Sequence, residues 1–305
     1  MTREIELSPV APYDFMAALA YLRGAHWAIL ERMTETAYLR ALHLLGQAVL
    51  LELRSEGTPA QPRLALRVTA AAVDDALLAA AAAHIRRVFT LDVDPTPFLA
   101  LAAREPIFGA VAQDAALFRP IIIASPYEAL LWAIIGQQIN TTFAATLKRV
   151  LVELAGHTLV IDDEGFPLLP TPAEVAQIVP AALRARQFSG QKTAYVLGVS
   201  AAIVAGTLDF AQLAALPAED AITALMQHKG IGRWTAECVL MRGLGAVDVL
   251  PAGDVGLRAA IGRAYALGRH ASETEVRERA TAWAGWRGWA TFYWWRSLQL
   301  ARAMG

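Results

Sequence analysis

A mostly α-helical chain with an N-terminal α+β unit carrying a small antiparallel sheet is predicted from three observations. The composition is rich in Ala and Leu, which favours helix over strand. Residues 43–54 (HLLGQAVLLELR) and 63–69 (RLALRVT) alternate apolar and polar side chains, a strand signal. After Arg119-Pro120 the spacing is helical nearly to the C-terminus, in segments joined by short turns, which indicates a bundle.

The elements follow in order. Residues 12–24 read as a short helix. The two strand segments are separated by EGTPAQP at 56–62, a turn or loop, and helical spacing returns over 73–89. Ser125-Pro126, with Glu128 close behind, forms an N-cap with proline at the first helical position. The helix that follows over 127–155 is expected to break near Gln137-Gln138. The loop at 156–170 contains an apolar stretch that fits a short hairpin. Thr171-Pro172-Ala173-Glu174 repeats the cap signal. Further helices are expected over 190–205, 218–227, 233–241, 255–266 and 272–283, and a last one over 291–304. The expected organisation is an α+β domain over 1–115 and a helical domain over 116–305.

With 305 residues, 56% of them hydrophobic, the chain can bury two or three packed units. No apolar run reaches about 18 residues, so a membrane partner is not expected. The start, MTREIELSPVAPYDF, has early acids and no apolar core, so it does not read as a signal peptide. The single cysteine, Cys238, excludes a disulfide framework and a cysteine-ligated zinc or iron–sulfur site within the chain. A reducing, cytoplasmic setting is expected, nucleoid-associated if the source is bacterial. Net charge is −1, but its distribution is uneven. Residues 1–120 hold 11 Lys/Arg against 13 Asp/Glu, and residues 228–305 hold 11 against 6. The C-terminal part is therefore the better candidate for a polyanion contact, with an ordinary Arg-rich helical surface as the alternative.

The most informative segment is LMQHKGIGRWTAEC at 225–238. A helix ends, a tight turn runs through Gly230-Ile231-Gly232, and a new helix starts near Trp234. Two glycines two apart permit positive φ and leave backbone N–H groups uncovered. The new helix adds unpaired N–H donors and a partial positive charge, a geometry that suits a phosphate oxygen. Lys229, Arg233 and Thr235 flank or follow the glycines. The alternative is a plain helical corner with a C-terminal glycine cap. Twenty residues after Trp234 comes Asp254, at the end of VDVLPAGDVG. On its own it reads as the N-cap of the helix starting near Val255, a role Asp often fills. Upstream lies AIIGQQIN at 133–140, and the C-terminal segment WAGWRGWATFYWW at 283–295 holds five of the eight tryptophans. Most of these rings are expected in the core.

These features resemble those of the helix-hairpin-helix DNA glycosylase superfamily: its LPGxGxxTA hairpin, with Lys229 where proline is usual, its Gly/Pro-rich loop ending in Asp, and its helix of the I-x-x-Q-Q-x-S/N type. With the N-terminal α+β unit, the whole chain is similar to the 3-methyladenine DNA glycosylase II (AlkA-type) family. The resemblance implies a helix-hairpin-helix glycosylase bundle with the active site in the cleft between its helical parts. It implies excision of alkylated purines such as 3-methyladenine or 7-methylguanine from double-stranded DNA by a monomer. Asp254 would be the catalytic carboxylate. Trp295 and Trp234 would lie in or beside the base pocket, with Tyr13 and Phe15 closing it, and Gln138, with Gln137 beside it, would be the wedge that fills the gap left by the extruded base. Gly230, Ile231, Gly232, Lys229, Arg233 and Thr235 would hold DNA phosphate. No cofactor is required, although the family hairpin can hold a Na or K ion, here through the carbonyls of Met226, His228 and Ile231. Cys238, Val255 and Arg296 stand where such a pocket can have aromatic residues, which leaves the substrate range open.

One carboxylate suffices for this chemistry. A purine alkylated at N3 or N7 already carries positive charge and leaves without a general acid. The developing oxocarbenium-like sugar is what needs stabilising, and a carboxylate can do this and orient water. Bifunctional relatives carry a lysine where this chain has Trp234, and tryptophan cannot form a Schiff base. A monofunctional enzyme that leaves an abasic site is therefore expected. The alternatives are a glycosylase for hypoxanthine, uracil or etheno adducts, and a non-catalytic DNA-binding module.

Overall fold

In the computed structural model, which describes residues 1–115 and 117–303, a five-stranded antiparallel sheet packs against a helical bundle. Strand β1 is Thr2–Leu7, and helix α1 is Phe15–Arg23. Strands β2 (Glu31–Met33), β3 (Ala37–Leu44), β4 (Gln47–Ser55) and β5 (Leu64–Ala70) follow, and the sheet order is β1-β5-β4-β3-β2. The expected strand at 43–54 is thus two strands. Leu45 and Gly46, at φ 47° and 80°, make the tight hairpin turn between β3 and β4. The β1 and β2 strands were not expected from the sequence.

Helix α2 (Asp75–Val88) is capped by Asp74, whose Oδ1 accepts the Leu77 N–H at 2.8 Å. Its buried residues Leu77, Ala81, Ile85 and Val88 recur at helical spacing. Helices α3 (Thr96–Ala102) and α4 (Pro106–Asp114) carry Phe98 and Phe108, which pack on the rings of the C-terminal helix.

Helix α5 (Pro126–Gly136) lies at the centre, with Tyr127 through Ile135 all buried. Ser125 caps it as expected, its hydroxyl accepting the Glu128 N–H at 3.1 Å. The helix ends at Gln137, and Gln138 sits in the left-handed region at φ 58°. Three carbonyls at this end, those of Ile134, Ile135 and Gln137, accept from Lys192 Nζ, which satisfies groups the broken helix leaves open. Helix α6 (Thr141–Ala155) restarts under an Asn140 cap. The expected hairpin forms from β6 (Thr158–Ile161) and β7 (Glu164–Pro167). It packs Phe166 and Leu168 against Ala41 and Leu50 on the sheet, with the Arg32 guanidinium 4.3 Å from the Phe166 ring centre.

The remaining helices are α7 (Pro172–Ala176), α8 (Pro180–Ala185), α9 (Gly190–Val204), α10 (Phe210–Ala214), α11 (Ala218–Met226) and α12 (Arg233–Val239), then α13 (Val255–Ala264), α14 (Glu273–Arg279) and α15 (Arg287–Ala303). Thr171 and Glu174 form a full capping box on α7. A π-helical turn, Leu240–Leu244, continues α12, and a 3₁₀ turn, Ala280–Trp283, continues α14. The last helix starts earlier than the expected residue 291, and its expected end at 304 lies outside the described residues. No described helix is long and apolar enough to cross a membrane.

Four charged side chains join sheet to bundle. Arg40 of β3 lies 3.0 Å from Glu31 of β2 and 2.8 Å from Glu128 of α5, and Lys148 of α6 contacts the other Glu128 oxygen. Lys148 also donates to the Trp27 carbonyl at 2.7 Å. All four side chains are buried. Burial opposes ionisation of Glu128, but Arg40 and Lys148 together hold its carboxyl below the usual range. Removing Glu128 leaves Lys148 buried without a carboxylate and two buried cations sharing Glu31 alone. Glu128→Ala should therefore destabilise the fold by about 3–5 kcal/mol in urea denaturation. Glu153→Ala, which removes a pair to Arg186 with both side chains half exposed, should change stability by less than about 1 kcal/mol.

Candidate active site

The turn between α11 and α12 forms as the glycines require. Gly230 has φ 93°, and a Cβ there would sit 2.3 Å from Cγ of Tyr195. Both the backbone and the neighbouring ring thus demand glycine. Gly232 differs. Its φ of −90° suits any residue, and a Cβ there would meet nothing within 4 Å. Its N–H begins a helix end that lacks a side-chain cap. The turn and the start of α12 face a shallow depression of about 460 Å³, also lined by Gln137, Tyr195 and Trp234.

Not all the expected phosphate ligands are free. The Arg233 guanidinium donates to both Glu219 oxygens at 2.7 and 2.9 Å and to Glu237 at 3.0 Å. The Ile231 side chain is buried, and its N–H donates to the His228 carbonyl at 3.1 Å. Thr235 is buried, and its hydroxyl accepts from Gln137 Nε2 at 3.0 Å. Lys229 is exposed. The groups open to an anion are therefore Lys229 and the N–H groups of Gly230, Gly232 and the first turn of α12. Among the described residues, no backbone donor reaches the carbonyls of Met226 or Ile231. With the His228 carbonyl, this donor set fits a monovalent cation.

The two glutamines of the broken helix divide their work. Gln137 is turned inward, donating through Nε2 to the Gly230 carbonyl at 2.9 Å as well as to Thr235. This clamps α5 to the hairpin and takes Gln137 out of the expected wedge. Gln138 is exposed, on left-handed backbone beside that clamp.

Asp254 stands at the end of a loop fixed at both ends. Arg287 of α15 grips Asp248 in a bidentate pair at 2.7 and 2.6 Å, and the Asp254 N–H donates to the Pro251 carbonyl at 2.8 Å. Both sequence readings of the carboxylate are compatible with its geometry. Oδ1 accepts the Leu257 N–H at 2.8 Å, the capping bond of α13, and Trp295 Nε1 at 2.8 Å. Oδ2 accepts Trp234 Nε1 at the longer distance of 3.3 Å. Gly256 permits this packing: a Cβ there would lie 3.1 Å from Asp254 Oδ1 and 3.3 Å from Trp295 Nε1. Cys238 lies alongside, its thiol pushed up by burial and then by the Asp254 carboxylate. Val255, next in the chain, is exposed.

Trp234 and Trp295 are therefore brought to Asp254, but Tyr13 and Phe15 are not brought to the surface of any pocket. Each is only 2% exposed. Asp14 caps α1, and Phe15, the first residue of that helix, packs on Phe89 at the end of α2. Tyr13 lies under the Arg119 guanidinium. Trp27, beyond the end of α1 and likewise buried, is the ring of the N-terminal unit that reaches Arg242. The Arg242 guanidinium, carried on the π-helical turn, lies 5.6 Å from the Trp27 ring centre and 4.8 Å from that of Trp295. Sequence reasoning missed Trp27, Arg242 and Gly256. The only available signal was a lone arginine in the apolar run of 238–244. Trp283, Trp289 and Trp294 are core residues, as expected.

The model of the HhH-GPD superfamily of base excision DNA repair proteins matches residues 131–285, and that of the AlkA N-terminal domain matches residues 4–117. The chain belongs to the HhH-GPD superfamily of base excision DNA repair proteins. It is 34% identical over 215 residues to a DNA-3-methyladenine glycosylase of Bacillus subtilis, covering 70% of this chain and 71% of that one. It is 30% identical over 300 residues to a probable bifunctional transcriptional activator/DNA repair enzyme AlkA of Mycobacterium tuberculosis. That match covers 98% of this chain but only 58% of the longer relative. A solved structure of a 3-methyladenine DNA-glycosylase from Archaeoglobus fulgidus superposes with a TM-score of 0.85 at 21% identity, covering 97% of this chain and 98% of that one. This places the sheet and the bundle in a common fold.

Two outcomes follow from the hairpin. Gly230→Ala should destabilise the protein by about 1–3 kcal/mol, since it meets both positive φ and the Tyr195 ring, while Gly232→Ala should stay within about 0.5 kcal/mol. Thermal unfolding of the two variants distinguishes them. The second concerns Glu237, whose carboxyl burial pushes up from 4.5 to about 7 despite Arg233 and Arg277. A raised pKa in the folded state means stability that is present at low pH and lost as pH rises through about 7. The stability of the wild type relative to Glu237→Gln should therefore fall between about pH 5 and 8, read as diverging urea midpoints.

Proposed function

We propose that the chain extrudes alkylated purine nucleotides from double-stranded DNA and hydrolyses their N-glycosidic bond, leaving an abasic site. The observation that carries this reading is the Asp254 carboxylate, oriented by three N–H donors between Trp234 and Trp295, on a helix end close to the hairpin. The relatives named DNA-3-methyladenine glycosylase support the substrate class.

Each part has a physical task. Lys229 and the open N–H groups from Gly230 to the start of α12 hold DNA phosphate and set the protein's position without reading sequence. A monovalent cation on the carbonyls of Met226, His228 and Ile231 would add positive charge at that contact. Gln138 fills the stack after the nucleotide leaves it, at a cost of a few kcal/mol that a weakened base pair reduces. Trp234 and the part of Trp295 that Arg242 leaves uncovered receive the electron-poor base. Asp254 stabilises the developing positive charge on the sugar and orients the water that attacks C1′. Trp234 occupies the place of a lysine nucleophile, so no covalent enzyme–DNA intermediate forms. The protein acts as a monomer.

Release of free base from duplex DNA containing 3-methyladenine or 7-methylguanine tests the reading. Wild type should release base and Asp254→Asn should lose at least about 100-fold in rate while still binding DNA. No release by the wild type from either lesion would overturn the enzymatic reading, and borohydride trapping of an adduct would overturn the hydrolytic one. Gly232→Asp should weaken binding to all DNA sequences alike, measured by titration of duplexes of unrelated sequence.

A further inference from the structure

Arg242 is a charged group beside this site that the glycosidic chemistry above does not use. Its side chain is half-buried and carried inward by the π-helical turn Leu240–Leu244, a type of irregularity that often serves to aim a residue. The turn is held on both sides. Arg87 donates to the Gly243 carbonyl at 2.8 Å, and a Cβ at Gly243 would lie 2.9 Å from Pro126 Cα on α5. The position of Arg242 is therefore set by packing.

The guanidinium has no hydrogen-bond acceptor among the described residues, and its Nε is fully buried without one. It also has no carboxylate partner there. Arginines nearby differ: Arg233 and Arg287 hold acids, and Arg296 donates to Gln299 at 3.1 Å. The guanidinium lies against the faces of Trp27 and Trp295, with the buried Tyr21 and Cys238 also nearby. Trp295 is the same ring whose Nε1 holds Asp254. A buried donor without an acceptor costs about 1–3 kcal/mol and requires an explanation. Here it stands one ring away from the reacting carboxylate.

We propose that Arg242 is a specificity-determining residue that donates hydrogen bonds to lone pairs on the extruded purine, and so favours release of uncharged lesion bases over cationic ones. This rests on the reading of Asp254 given above. Its basis is leaving-group chemistry. When the C1′–N9 bond of a cationic methylpurine breaks, the electron pair neutralises the base. When the same bond breaks in an uncharged purine, the pair leaves the base negative. Water then bonds to C1′ and loses a proton to solvent, and the base takes one up at nitrogen. A guanidinium donating to purine oxygen or nitrogen acceptors stabilises that negative charge without giving up its own proton. Toward a cationic base the same group is repulsive, and it covers part of the tryptophan face on which such a base would stack.

Single-turnover base release tests this with duplexes containing hypoxanthine, which is uncharged, and 7-methylguanine, which is cationic. Arg242→Met keeps the apolar stem and removes the charge and donors. It should lower the hypoxanthine rate by about 10-fold or more and raise the 7-methylguanine rate, so the two move in opposite directions. Arg242→Lys, which keeps charge but not the planar fork, should recover part of the hypoxanthine rate. A parallel fall on both lesions would mean a phosphate or structural role and would overturn the inference. So would an unchanged ratio, or absence of hypoxanthine release by the wild type. In those cases 7-methylguanine release that depends on Asp254 would leave the proposed function standing. Loss of all release in the wild type would remove both. Melting curves and binding to abasic-site DNA identify a variant that has failed to fold.

Discussion

The buried assembly of Arg40, Glu31, Glu128 and Lys148 is the constraint on which the arrangement of the two parts depends. Apolar packing alone would let a sheet slide over a helix at modest cost, because it is not directional. Charges buried at a sheet–helix junction tolerate only one placement, since a displaced partner leaves an ion without compensation. Lys148 extends that placement outward. By donating to the Trp27 carbonyl it fixes the segment after α1, and Trp27 is the ring that meets Arg242 near Asp254. A strut between the two parts of the fold thus determines where the ring against Arg242 stands.

Asp254 illustrates how a cap becomes more than a cap. An Asp at a helix N-terminus ordinarily uses one oxygen for the backbone, and Oδ1 does so here with Leu257. Trp295 shares that oxygen, which leaves Oδ2 with a single long bond to Trp234. The carboxylate is oriented on one side and lightly held on the other, the condition under which it can turn a free lone pair toward an incoming sugar. Gly256 is a precondition, because any side chain there would crowd both Asp254 and Trp295.

The legible and illegible parts of this chain separate on physical grounds. Caps, the helix break at Gln137-Gln138 and the hairpin glycines are local chemistry, readable from adjacent residues. Asp254 drew notice through its spacing from the hairpin, and Trp234 and Trp295, placed near it by resemblance, do contact it. The turn at Leu45-Gly46 was missed because leucine in the left-handed region gives no turn signal and the alternation runs on through it. Arg40 and Glu128 are 88 residues apart, and each reads singly as a surface charge or a cap accessory. Tyr13 and Phe15 were placed at the pocket by resemblance, but aromatic identity does not reveal which way a short capped helix will turn its first residues. Trp27 had no local signal at all.

The charge distribution shows most clearly how a sequence-level quantity changes meaning in three dimensions. The excess of Lys and Arg over residues 228–305 suggested a basic surface for a polyanion. Several of these charges are already paired at the surface instead: Arg233 is held by Glu219 and Glu237, Arg269 by Glu275, Arg277 by Glu273 and Arg287 by Asp248. Glu219 lies outside the counted stretch, so the local sum overstated the free charge. A DNA backbone approaching the hairpin would therefore meet Lys229 and uncovered N–H groups more than a field of arginines. Binding built this way would be short in range and would depend on close approach, for which Gly232, open to solvent on backbone that any residue could adopt, leaves room. An acid as near as Asp254 can be accommodated for the same reason. A weak long-range field leaves less attraction for its negative charge to cancel, and N–H donors in direct contact with phosphate are little affected by a carboxylate oriented toward the sugar.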